Sequence, residues 1–415
     1  MHISPEIVIL AKGGSLHHAQ PFLENFGSRA IVESDWIPDA VMRHQPGLVI
    51  TFDEHGADLG LCVSQAVKHD IACLLIRDGI LEWRMIWEYE TSLKKRPINQ
   101  PILSHKVACL GRTDAHIMES WGNIGKCEVV GCPRFDQLVS LNRPMRTEPV
   151  YERPLKLLVM TAKTPGFTPE QVETTYRSLA DLRDVLAERN DIEVAWRVTQ
   201  NLHERLGVRN TVRNILSTEL HDILEGVDAV ITTPSTSMLE SMLFGHPVAL
   251  LDYHNRPHYF PAAWRIGCKS HIGPVLSDLI NAPLPWMLYQ AQCLHDGLAC
   301  RTSAFPRMVH LIENMLEVRR ENVSRNIPLS FPHRILDCPD EHIAWPHESF
   351  DLERLYPQHK VFGFRDVTIL QAELETALGS VALLKEKVDI LSNRLHRIPG
   401  YTLATTVARR LKRFR

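Results

Sequence analysis

The first third of the chain alternates short, β-rich apolar runs with stretches of helical length. EIVILA at residues 6–11 is followed by SRAIVE, GLVITFD, IACLLIRDG, HKVACLG and CEVVG. Near-continuous apolar runs with room for a helix between them predict parallel strands buried on both faces. Residues 145–154 are polar and proline-containing, and predict a linker. The pattern then restarts. LKLLVMT at 155–161 predicts a strand, and Pro169–Arg189 a helix with Val172, Tyr176, Leu179, Leu182 and Leu186 on one stripe. DIEVAWRV, DAVITT and PVALLD predict three more strands. Two α/β units of similar size predict two Rossmann-like domains facing a cleft, with ligands bound outside the carboxyl ends of the strands. The expected divisions are an N-terminal domain at 1–145, a C-terminal domain at 155–330, a return segment at 331–365 and a helical tail at 366–415.

The tail has its own pattern. Leu370, Leu374, Ala377, Val381, Leu384, Val388, Leu391 and Leu395 follow alternating steps of four and three. That spacing is a coiled-coil seam and predicts a homo-oligomer through residues 370–395; a long helix lying on its own domain is the alternative. Pro399–Gly400 ends the helix. Arg409, Arg410, Lys412, Arg413 and Arg415 then crowd around Leu411 and Phe414. A basic amphipathic end of this kind at 401–415 suits an anionic membrane surface, and equally a solvated helix terminus where cations complement the dipole.

Charge and cysteine content narrow the picture. The formal net charge of −3 lacks the broad basic excess of a nucleic-acid binder, so no nucleic-acid partner is expected. Nine cysteines without a C-x-x-C pair argue against a zinc ribbon and for buried, reduced thiols. The first residues show no signal-peptide pattern, and no run approaches the roughly 20 apolar residues of a spanning helix. The expected location is cytoplasmic, with any membrane contact peripheral on the inner face.

The chemistry-bearing residues cluster at predicted strand ends. In DAVITTPSTSMLESMLFGHPVALLD (228–252) a strand runs through a Ser/Thr turn into a helix. Ser235, Thr236 and Ser237 are expected to cap that helix and leave amides for phosphate oxygens, with Glu240 one turn on and able to reach ribose hydroxyls. Lys163, after the strand 155–161, is placed to neutralise donor phosphates. Arg197 ends another strand at the cleft edge. On the first domain, AKGGSLHH (11–18) puts Gly13 and Gly14 in a turn open to close approach, with His17 and His18 offering polar contacts. LLIRDG (74–79) puts Asp78 at the end of a central strand, where it serves as a general base or as a helix cap. His55, in DEHG after GLVITF, is the alternative base. No G-x-G-x-x-G fingerprint occurs, so no dinucleotide cofactor is expected. No metal cluster or D-x-D motif in a metal-binding context stands out, so no metal is expected either.

The segment D-A-V-I-T-T-P-S-T-S-M-L-E-S-M-L-F-G-H-P-V resembles the donor-binding segment of glycosyltransferases with the two-Rossmann GT-B fold. It is also similar to non-hydrolysing UDP-N-acetylglucosamine 2-epimerases and to the glycerophosphotransferases of wall teichoic acid synthesis. K-V-A-C-L-G (106–111) through E-V-V-G-C-P-R-F-D (128–136) resembles the end of the N-terminal domain in the same group, where G-x-P-R-x-D precedes the linker. The resemblance spans about residues 1–275. It implies a metal-independent glycosyltransferase of bacterial surface polysaccharide or glycoconjugate synthesis. The donor would be a nucleotide sugar on the second domain and the acceptor a saccharide or lipid-linked glycoconjugate on the first. It also admits a 2-epimerase, a CDP-alcohol phosphotransferase, or a non-catalytic scaffold of the same fold. Related transferases often follow the basic residue at the Arg197 position with His-Pro; here Thr199-Gln200 stands nearby instead.

Overall fold

The apolar runs form eleven short strands in a computed structural model that describes residues 5–89, 98–208, 220–337 and isolated helical positions between 381 and 391. The first sheet contains β1 (Ile7–Leu10), β2 (Ala30–Glu33), β3 (Leu48–Thr51), β4 (Ala72–Ile76), β5 (Lys106–Cys109) and β6 (Cys127–Val129). The second contains β7 (Leu155–Met160), β8 (Ile192–Arg197), β9 (Ala229–Thr232), β10 (Val248–Leu251) and β11 (Trp264–Ile266). Every pairing is parallel; Ile7 lies opposite both Ala30 and Leu48, and Leu157 opposite Ala229. The strand β11 has no counterpart in the sequence reading, because the exposed Arg265 breaks its apolar run.

The orders are β2-β1-β3-β4-β5-β6 and β8-β7-β9-β10-β11, so the two sheets share one winding. In each, the chain steps outward to one edge, returns past its first strand and continues to the other edge. The reversal lies between β1 and β3 in one sheet and between β7 and β9 in the other, and such reversals open a crevice at the carboxyl ends of the strands.

Burial on both faces explains the unbroken apolar runs. Ile7 and Ile9 pack with Phe22, Phe26 and the helix Ala304–Arg325, while Val8 and Leu10 face Leu59, Cys62 and Val63 on the opposite side. The helix Ala304–Arg325 thus belongs to the core of the first sheet through Met308, Leu311, Ile312 and Met315, although it falls within 155–330. A further core joins the domains directly: Leu110, Cys132, Phe135 and Leu138 pack against Leu158, Met160, Val230 and Leu239.

The chain crosses between the sheets twice, and both crossings rest on glycine. At the first, Arg146 N–H donates to Gly245 O (2.8 Å), and a Cβ on Gly245, whose φ is +80°, would lie 2.2 Å from Pro144 O. At the second, Ala299 N–H donates to Leu110 O (2.8 Å), and a Cβ on Gly297 would lie 1.6 Å from the Phe260 ring. Asp136 then accepts from the amides of Ala304 (2.6 Å) and Phe305 (2.8 Å), capping the returning helix.

Beyond that helix the chain is tied to β5 and β6 by a buried ion pair. Lys106 Nζ donates to Glu128 (2.7 Å) and to the carbonyls of Gly125 (2.9 Å), Pro332 (2.7 Å) and His333 (3.0 Å). Glu128 in turn accepts from the amides of Ile335 (2.9 Å) and Leu336 (3.1 Å).

Residues 351–415 form a separate unit. Val381, Leu384, Val388 and Leu391 are helical there and exposed. The other seam positions and the basic end at 401–415 lie outside the described residues.

Removing one member of a buried, fully bonded ion pair leaves the other charge uncompensated. Lys106→Met is therefore expected to lower stability by about 3–5 kcal/mol, read as a fall in the urea midpoint.

Candidate functional site

The facing carboxyl ends of the two sheets gather charged side chains from separate parts of the chain. Asp78 leaves the end of β4, and its Oδ2 lies 3.1 Å from His18 Nε2. His18 sits in the helix Leu16–Phe26 that follows β1, with its ring against Phe52 (5.4 Å between centroids) at the end of β3. Burial pushes the Asp78 carboxyl up, but the bond and charge of His18, with Arg77 and Arg134, outweigh it and hold the group below the usual carboxylate range. His17, 3.7 Å from the His18 ring between centroids, is pushed down by burial and by the charges of His18 and Arg134.

Arg134 extends from the turn Pro133–Phe135 toward the second domain, where its Nε lies 3.8 Å from Glu240 Oε1. Glu240 belongs to the helix Ser237–Leu243 after β9. Its carboxyl is pushed up by burial, an effect that nearby Arg134, His221 and Arg197 only partly offset.

The Ser/Thr turn divides its hydroxyls between the domains. Ser235 Oγ accepts from the Ser237 amide (3.3 Å) and hydroxyl (3.0 Å). Thr236, expected as a cap, instead uses Oγ1 to accept from the Ile80 amide of the first domain (3.2 Å). The backbone of Gly79 comes so near that a Cβ there would lie 2.7 Å from the same oxygen. Asp78-Gly79 and the Ser/Thr turn are therefore direct neighbours.

The chain after Gly79 continues onto the second domain. Asp78 does not cap the turn that follows; Glu82 does, accepting from the Met85 amide at 3.1 Å. Arg84, buried, donates to Pro165 O (3.0 Å) and His254 Nε2 (3.0 Å). Burial and the Arg84 charge hold His254 down to about 4, so its ring is a neutral acceptor. Glu88 accepts from Gln171 (3.1 Å) and pairs with Arg256, and Trp87 Nε1 donates to Tyr259 (2.5 Å). This clasp aligns the two halves of the site.

The remaining expected residues are more scattered. Lys163 is exposed and makes no hydrogen bond or ion pair among the described residues. Arg197 ends β8 and interacts electrostatically with Glu240. His55 is held by its own turn, Nδ1 to Asp53 at 2.5 Å. Gly13 and Gly14 form the turn after β1 with open space around them. Of the two residues at the centre of the cluster, His18 was expected to offer polar contacts and Arg134 was not among the expected site residues. His18 stood beside His17 in AKGGSLHH, and Arg134 stood inside G-C-P-R-F-D; adjacency and the motif were the available signals.

No protein-family model and no curated protein sequence matches the chain. Solved structures do. The crystal structure of a UDP-N-acetylglucosamine 2-epimerase from Listeria monocytogenes superposes with a TM-score of 0.52 at 13% identity, over 75% of this chain and 97% of that one. The complex of S. aureus MnaA with UDP superposes with a TM-score of 0.52 at 10% identity, over 79% of this chain and 100% of that one. The chain has the GT-B fold. At this level of identity the likeness extends to the fold alone.

The Glu240 carboxyl holds its proton more tightly in the folded chain than in the unfolded one. Its contribution to stability is complete below the unfolded carboxylate range and is lost as the pH rises through the folded value. Glu240→Gln is expected to raise the thermal midpoint relative to wild type at pH 8 and to leave it nearly unchanged at pH 4, as measured by calorimetry at both pH values.

Proposed function

We propose that this chain is a GT-B-type glycosyltransferase that moves a sugar from a nucleotide-sugar donor to a saccharide or lipid-linked acceptor. The observation that carries the reading is the meeting of the Asp78–His18 pair with Arg134, Glu240 and the Ser235–Ser237 turn at the facing ends of two sheets. The donor lies on the second domain, with Glu240 at the ribose and Ser235, Ser237, Lys163 and Arg197 toward the phosphates. The acceptor lies on the first, along Gly13, Gly14 and His17.

Asp78 is the general base of this reading. Its side chain is 46% exposed and that of His18 only 12%, so the carboxylate meets the acceptor while the imidazole behind it fixes its direction. Asp78 takes the acceptor hydroxyl proton as that oxygen bonds to the anomeric carbon, and the nucleotide leaves with the electrons of the broken C–O bond. Cationic and amide groups on the second domain stabilise the departing phosphate, and the closed cleft limits hydrolysis.

A second reading follows from the same cluster. Two carboxylates and the imidazoles of His17, His18 and His221 gathered in one cleft also suit a sugar-nucleotide 2-epimerase, which removes and returns a proton at carbon. An epimerase alters the nucleotide sugar with no acceptor present and exchanges deuterium into it from D2O; a transferase does neither.

The first test is a thermal-shift panel of UDP, GDP, CDP, CMP and dTDP with their sugars. A ligand that binds the folded state alone raises the midpoint. One nucleotide is expected to do so, with the shift reduced in a Ser235→Ala, Glu240→Ala variant. Asp78→Asn is expected to lower turnover by roughly 10²–10⁴ while leaving nucleotide affinity within about twofold. Silence across the whole panel overturns the reading.

For the tail, the exposed seam supports self-association through residues 370–395, and the basic end supports contact with an anionic surface through 401–415. Leu384→Asp with Leu391→Asp in the full chain is expected to turn an oligomer into a monomer in sedimentation; an unchanged mass sinks this proposal.

A further inference from the structure

Arg134 uses little of its bonding capacity. Its backbone is fixed on every side. Phe135 is fully buried, Val130 O accepts from Arg307 Nε (2.8 Å), and Asp136 caps the helix Ala304–Arg325. Its side chain nevertheless stays 33% exposed and makes no hydrogen bond among the described residues. The 3.8 Å separation from Glu240 is too long for one. Two arginines with a structural task close on their carboxylates with both arms. Arg29 meets Glu313 at 2.7 and 3.0 Å, and Arg153 meets Asp228 at 2.6 and 2.7 Å. Two neighbouring cations are committed elsewhere: Arg77 donates to Gly79 O (3.0 Å), and Arg84 to Pro165 and His254; the Arg197 side chain, which also acts on Glu240, makes no hydrogen bond among the described residues.

We propose that Arg134, contributed by the first domain, is a phosphate ligand for a donor held on the second domain. This rests on the nucleotide reading above and adds a residue that the donor segment does not contain. A guanidinium presents a planar fork that matches two phosphate oxygens, and the pairing is charge-assisted and directional. The 3.8 Å gap to Glu240 leaves the fork open, and burial pushes the Glu240 carboxyl up. The Arg134 charge also acts on Asp78, so the same cation that meets the phosphate influences the base. Because the arginine belongs to one domain and Glu240 and the Ser/Thr turn to the other, an occupied phosphate site bridges the two.

The test uses the full chain and three probes in titration calorimetry: inorganic pyrophosphate, the nucleoside diphosphate that shifts the thermal midpoint, and its nucleoside. Arg134→Gln is expected to weaken pyrophosphate and the nucleoside diphosphate by about tenfold or more. The nucleoside should bind within about twofold of wild type, and the unliganded thermal midpoint should not move. Arg134→Lys is expected to recover part of the loss, since it restores charge without the fork. Wild-type affinity for both phosphates in Arg134→Gln overturns the proposal, and so does an equal loss for the nucleoside. Pyrophosphate binding that depends on Arg134, with no nucleoside diphosphate bound by wild type, refutes the nucleotide reading and leaves Arg134 as an anion ligand. A wild-type protein that binds neither overturns both.

Discussion

The cleft depends on backbone packed against backbone where the chain passes between its two sheets. Residues 144–146 run beside Gly245, and residues 297–299 run beside Gly111 and Gly131, at separations that leave no room for a Cβ. A side chain at Gly297 would occupy the space of the Phe260 ring, which sits in the core shared by both domains. Interiors are packed too densely to absorb such a volume locally, so the relative placement of the sheets is set at these points. Asp136 and the Lys106–Glu128 pair then secure the returning chain to the first sheet.

That placement is what turns two ordinary strand ends into one site. Asp78 and Glu240 lie on different domains and far apart in the chain, yet Arg134 interacts with both. Their electrostatic situations differ for a physical reason. Asp78 is half exposed and has a histidine at bonding distance, so its charge is compensated. Glu240 is only 13% exposed and its cation stands off, so desolvation dominates. Neighbouring carboxyls pushed in opposite directions are a feature of sites that handle protons.

The Ser/Thr turn shows how tertiary contact redirects local chemistry. Hydroxyls at a helix start ordinarily accept from the helix's own amides. Ser235 does so, but the close approach of Gly79 places the Ile80 amide where Thr236 meets it first. Arg84 and Glu88, a little further along the first domain, are likewise taken up in contacts with Pro165, Gln171, His254 and Arg256 of the second.

The sequence by itself determined the two doubly wound units and the places where polar residues leave the sheets. Strands covered on both faces must be written as unbroken apolar runs, and their turns must carry residues such as Arg77-Asp78-Gly79 and Pro234-Ser235-Thr236. It also displayed the seam of the tail, whose period is local. Only the tertiary structure decided which strand ends meet. Asp78 pairs with His18 while His55 stays with Asp53, and Arg134 reaches Glu240 while Lys163 remains in solvent. Such pairings depend on the angle between two sheets, and that angle is set by the steric fit of the crossings, which no periodicity along the chain encodes.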